Sequence, residues 1–174
     1  ALNCVANGKL MKEKIFENIW IQPAAGDAGG SVGAALAVYH LMLDGPRYRS
    51  PKQQDGMKGG YLGPAFDQTD IEKRLISCGA CFTSHEDDEL ILLTAQALEE
   101  GKAVGWHQGR MEFGPRSLGA RSIIADPRSS SVQKMLNLKV KYRESFRPFA
   151  PSVLREDVAE WFDLDSDSPY MLLV

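Results

Sequence analysis

Two strings decide how this chain reads: GRMEFGPRSLGARSII at Gly109–Ile124 and VKYRESFRPFAPSVL at Val140–Leu154. Between Arg110 and Arg155 there are ten Lys/Arg (110, 116, 121, 128, 134, 139, 141, 143, 147, 155) against three acids (112, 126, 144). That region carries +7, although the whole chain carries −3, so the remainder sums to −10. A local cationic surplus in an acidic protein predicts a site for an anion. The glycines and prolines among those cations favour a shaped loop over a solvated helix face.

Working outward, 174 residues allow one large domain or two small ones. A content of 44% hydrophobic and 25% charged residues is enough to bury a core, and no apolar run is long enough to span a bilayer. The net negative charge argues against a general nucleic-acid binder. Cys4, Cys78 and Cys81 are the cysteines. Cys78-Gly-Ala-Cys81 has CxxC spacing, but no second pair or nearby His set completes four zinc ligands. Reduced thiols and no visible secretory signal predict a cytoplasmic protein. The chain starts ALNCVANGKL and stops at MLLV within an apolar run, which predicts a piece of a longer protein.

The pattern predicts alternating elements and hence an α/β fold. Strands are expected at 18–22 (NIWIQ), 103–107 (AVGWH), 122–125 (SIIA), 149–154 and 170–174. Helices are expected at 31–43, 69–76, from 85 or 86 to 100, at 129–138 and at 156–162. Asp67 or Thr69 would cap the helix at 69–76, and acids open the one that ends at Gly101. Gly26-Asp27-Ala28-Gly29-Gly30 reads as a tight turn between strand and helix, a geometry in which backbone N–H groups meet phosphate. Residues 44–63 are rich in Gly, Pro and charge and read as a linker.

Each candidate residue carries two readings. Arg116, held after Gly114-Pro115, suits bidentate contact to phosphate or carboxylate. Lys141 and Arg147 flank Glu144 and pair a point charge with a planar fork. The alternative is a solvated face with ion pairs of the Arg143–Glu144 kind. Glu112 is expected to orient an Arg rather than act as a base. Asp27 is either a turn former or an oxygen ligand to a metal, with Gly29 and Gly30 letting backbone approach a nucleotide phosphate. Asn3 and Asn7 either contact ligand or cap a helix. His40 is expected to pack in the core, and neither His85 nor His107 has a sequence partner that would make it a base.

Taken together, GRMEFGPRSLGARSIIADPR and LNLKVKYRESFRPFAPSVL resemble the signature of the NodU-type carbamoyltransferases, and ALNCVANGKL and WIQPAAGDAGGSVGAAL resemble segments that precede it. The resemblance covers 1–43 and about 75–174. It implies a YrdC-like mixed twisted sheet with helices over 68–174, preceded by the terminal piece (1–43) of an actin/sugar-kinase-like domain, with 44–67 as linker. It implies a fragment of an ATP-dependent O-carbamoyltransferase. Carbamoyl phosphate and ATP would give a carbamoyl-adenylate, and the carbamoyl group would pass to a hydroxyl of a nodulation factor, antibiotic or other sugar-like acceptor. Carried over by motif, Arg116, Lys141 and Arg147 would hold carbamoyl phosphate and the ATP phosphates. Asn3, Gly29 and Gly30 would lie near the nucleotide, and Asp27 would bind a divalent metal, iron or magnesium/manganese.

The family's amino-terminal domain, with further metal ligands, would be this chain's partner in the same protein, and the isolated chain is expected to be inactive. A second class of reading is a YrdC-like module that binds double-stranded RNA without catalysis. Few aromatics are placed for stacking, which disfavours it. Steep loss of binding with salt would mark RNA, and a small pocket would depend on salt far less. A third reading is a non-catalytic scaffold, which would have no need of Arg116, Lys141 and Arg147. No membrane partner is expected.

Overall fold

The computed structural model describes residues 1–48, 55–164 and 167–174. Residues 49–54 of the expected linker lie outside the described residues. The chain forms two compact units. The first gathers Ala1–Ala65, Gly109–Ala120 and Ser166–Val174, and the second gathers Phe66–Gln108 and Arg121–Asp165. Among the described residues, helices and one small antiparallel sheet make this an α/β chain.

In the first unit, α1 (Cys4–Lys12) starts where Asn3 Oδ1 accepts the Ala6 N–H at 3.1 Å. Helix α2 (Asp27–Ala37) is built of small residues and opens with an acid in its first turn, where the exposed N–H groups favour negative charge. It continues as a wider π turn at Val38–Met42, where Leu41 and Met42 stay more than two thirds exposed. A 3-10 turn at Lys58–Gly60 follows. Met57, Ala120, Leu172 and Pro23 are buried here. Tyr170 Oη donates to the Asp55 carboxylate, 2.9 and 3.0 Å from its two oxygens, and accepts the Gly59 N–H at 3.0 Å.

In the second unit, α3 (Gln68–Ser77) is capped by Asp67, whose Oδ1 accepts the Asp70 N–H at 2.8 Å. Helix α4 (Asp87–Glu99) carries three acids in its first turn. It rests against β1 (Val104–His107), which pairs antiparallel with β2 (Arg121–Ile124) in the register Val104↔Ile124 to His107↔Arg121. Helix α5 (Val132–Met135) runs on as a π turn at Leu136–Val140. A 3-10 turn at Arg155–Asp157 leads into α6 (Val158–Trp161).

Three expected strands do not form. Residues 149–154 contain Pro151 and follow Pro148, and neither can donate to a ladder. Residues 18–22 run into Pro23 without a partner edge, and Trp20 is 68% exposed. Residues 170–174 begin in a turn with Met171 at φ 52°, and the Leu172 carbonyl is taken by Asn7 Nδ2 at 2.9 Å. The GDAGG segment is the first turn of α2, not a turn preceding it. His40 is only partly buried, with Nδ1 2.9 Å from the Gly45 carbonyl oxygen and its ring edge-on to Tyr39.

Candidate functional site: two loops, one in each unit

In the first unit, the GDAGG and FGPRSLG segments meet at Ala24. Ala24 takes a left-handed φ of 54°, so that its carbonyl accepts N–H groups from both Gly26 (2.7 Å) and Gly29 (3.0 Å). A Cβ on Gly29 would lie 2.4 Å from that same carbonyl oxygen, which is why no larger residue fits there. On the other side, Gly114 at φ 115° would place a Cβ 2.9 Å from Ala24 Cβ. Gly29→Ala is therefore expected to cost about 1–3 kcal/mol by overpacking, partly offset by up to ~1 kcal/mol of helix propensity. Urea unfolding checks it, and an unchanged midpoint would contradict the contact.

The FGPRSLG loop is held by Glu112, which is 7% exposed. Its carboxylate accepts the Leu118 N–H at 3.0 Å to both oxygens and the Ala120 N–H at 2.8 Å. Met111 and Gly63 pair through Gly63 N to Met111 O at 2.9 Å, and the Phe113 N–H reaches the Gly60 carbonyl at 2.6 Å. Arg110 Nη1 donates to the Gly63 carbonyl, and Arg116 Nη2 to the Leu2 carbonyl. Arg116, Tyr170, Pro23 and Ala24 share the wall of a small cavity. Burial, and then the Asp55 carboxylate, push the Tyr170 phenol above its ordinary range. The Glu112 carboxylate thus holds the backbone of the loop that carries Arg116, where the sequence predicts that it orients an Arg side chain.

Asn3 spends its side-chain oxygen on the α1 cap. Asp27 stands exposed at the start of α2, and Gly30 is open to solvent with nothing near the place of a Cβ. Among the described residues no group of three His, Cys, Asp or Glu comes together to hold a metal ion. The divalent metal implied by the resemblance therefore does not fit a site made of these residues alone, and a metal at Asp27 needs ligands from elsewhere.

Lys141 and Arg147 belong to the second unit, so Arg116 is not in the same unit as they are. Lys141 is exposed. Arg147 Nε donates to Glu144 Oε2 at 2.8 Å, with both side chains about half exposed. Glu144's own backbone amide, and then the Arg147 guanidinium, hold its carboxyl below the usual carboxylate range. Glu144 thus pairs with Arg147, an exposed ion pair of the kind that the solvated-face alternative describes, with Arg147 in place of Arg143. Arg143 turns inward: its Nε donates to Asn137 Oδ1 at 2.6 Å, and its guanidinium lies 4.9 Å from the Phe149 ring centroid.

Asn137, Asp55 and Tyr170 were not singled out from sequence. Asn137 is wholly buried. The one available signal was a lone amide in the apolar run of LNLKV. His85 ends with Nε2 2.9 Å from Thr83 Oγ1 and Nδ1 3.1 Å from Glu89, and His107 closes β1 exposed to solvent. Cys78 and Cys81 are free and exposed. Among the described residues no helix is long and apolar enough to cross a membrane.

Two family models match the chain. Residues 1–36 match the model described as the carbamoyltransferase N-terminus, and residues 95–174 the one described as the carbamoyltransferase C-terminus. The whole chain is 56% identical to 28% of an uncharacterized protein of Synechocystis sp., and 43% identical to 25% of the nodulation protein NolNO of Sinorhizobium fredii. Over 98% of its length it is 33% identical to 30% of the 3'-hydroxymethylcephem-O-carbamoyltransferase of Amycolatopsis lactamdurans. The chain spans between a quarter and a third of the length of these relatives.

Proposed function

This chain belongs to the carbamoyltransferase family, and we propose that it supplies phosphate-binding residues to an ATP-dependent O-carbamoyltransferase with a YrdC-like carboxy-terminal domain. The proposed substrates are carbamoyl phosphate and ATP, and the acceptor is a small molecule bearing a hydroxyl. For the carbamoyl group to end on AMP, the acyl–phosphate link of carbamoyl phosphate must be given up as inorganic phosphate. Water adds to the carbamoyl carbon in that step and leaves carbamate, whose oxygen then attacks the α-phosphorus of ATP as pyrophosphate departs. The acceptor hydroxyl afterwards displaces AMP and loses its proton.

Negative charge moves between phosphates at every stage, so fixed cations matter more than a base. By the resemblance, Arg116, Lys141 and Arg147 are assigned to those phosphates. The observation that carries the reading is the organised basic loop Lys141–Arg147, lying inside the stretch that matches the carbamoyltransferase C-terminus. Asp27, Gly29 and Gly30 fall inside the stretch matching the N-terminus, where the transfer step is proposed to occur.

Pyrophosphate release by the full-length protein, with ATP and no acceptor, tests this. Release is expected only when carbamoyl phosphate is present. Lys141→Ala should raise the KM for carbamoyl phosphate by about tenfold or more, the loss of one charge-assisted contact. Release that ignores carbamoyl phosphate, or a Lys141→Ala protein with wild-type constants, would remove the assignment.

A further inference from the structure

Buried amide side chains are held in place by what they bond to, and Asn137 bonds to a single loop. Its Nδ2 donates to the Ser145 carbonyl at 3.1 Å and to the Arg147 carbonyl at 2.8 Å. Its Oδ1 accepts from Arg143 Nε at 2.6 Å, and its backbone carbonyl accepts the Arg143 N–H at 2.9 Å. All of these polar groups are thus spent on residues 143–147, six to ten positions further on. Packing alone would be served by a leucine, without the need to satisfy a buried amide. The arrangement also divides the cations by task. Arg143 is drawn inward onto Asn137 and Phe149, while Lys141 and the Arg147 side chain stay at the surface.

We infer that Asn137 is the positioning residue of the phosphate-binding loop. It fixes the main chain at Arg147, and so the origin of that guanidinium, for a ligand bearing a phosphate group such as carbamoyl phosphate. The inference rests on the reading of Lys141 and Arg147 given under the proposed function. Gln133 assists from the exposed side, with Nε2 3.0 Å from the same Arg147 carbonyl oxygen. A residue that only filled space would contribute to stability. One that positions Arg147 contributes to substrate affinity, and only while Arg147 is present.

The test uses the full-length protein and the pyrophosphate-release reaction. Asn137→Asp keeps the acceptor toward Arg143 and removes both donors to the loop carbonyls. It is expected to raise the KM for carbamoyl phosphate by about tenfold while kcat at saturation falls less than about threefold. Combined with Arg147→Ala, it should add nothing beyond Arg147→Ala alone. Gln133→Ala, at an exposed position, should shift the KM in the same direction by about two- to threefold, and it decides the matter if Asn137→Asp does not fold. A lowered melting temperature with an unchanged KM, or a full Asn137→Asp effect persisting without Arg147, would overturn the inference. An unchanged KM in Arg147→Ala itself would instead overturn the reading on which it rests.

Discussion

Arg116→Ala is expected to slow carbamoyl-phosphate-dependent pyrophosphate release by about 10²–10³-fold, or ~2.7–4 kcal/mol, the scale of losing one preorganised donor to developing negative charge. The structure shows what holds this arginine in place. Gly114 and Pro115 turn the chain, Glu112 ties Leu118 and Ala120 behind it, and Nη2 is braced on the Leu2 carbonyl. Arg116→Lys keeps the charge and loses the planar fork, so it should recover only part of the rate. Because the brace also stabilises the first unit, the melting temperature must be read alongside. A rate loss that tracked unfolding, or a wild-type rate in a folded Arg116→Ala protein, would end the catalytic assignment.

Glu112→Ala carries the largest expected effect on stability, about 2–4 kcal/mol, because it leaves the buried Ala120 N–H and the part-buried Leu118 N–H without the carboxylate acceptor. Ala120 is fully buried, so water cannot easily take the carboxylate's place. Glu112→Gln keeps the shape but turns an N–H₂ toward a site where both oxygens had been accepting, and it should cost nearly as much. Urea unfolding monitored by a probe in the first unit would show the midpoint fall. Unchanged midpoints would mean that the loop is held by its other contacts, such as Phe113 to Gly60. Since the same loop presents Arg116, a folded Glu112→Ala protein should also release pyrophosphate more slowly.

Local rules sufficed where an element's identity lies in its own residues. The strands at 104–107 and 121–124 and the helices at 68–77 and 87–99 fell within a residue or two of expectation, and Asp67 capped as its type predicts. Asn3 Oδ1 caps α1, one of the two roles its type predicts. Expectation failed where a partner far along the chain decides. Residues 18–22 and 170–174 have strand-like composition but no ladder to join, and prolines remove 149–154. Tyr170 and Asp55, 115 positions apart, leave no local trace. Asn137 is hidden for a different reason: periodicity counts a polar residue as surface, and only the burial of its amide reveals what it holds.

The interleaved course of the chain has a consequence in time. The first unit draws on Ala1–Ala65, on the Gly109–Ala120 loop and on the stretch that carries Tyr170 and Leu172. The described residues of the second unit all lie between Phe66 and Leu164. At about 5–20 residues per second, a ribosome that has just made Ala65 needs roughly 5–20 s more to deliver those last contacts. Through that interval Gly8 and Asn7 of α1 lack their partners near Leu172 and Val174, although α1 precedes the second unit in the chain. The second unit is therefore expected to be protected from protease on stalled nascent chains before the first, reversing the order of synthesis.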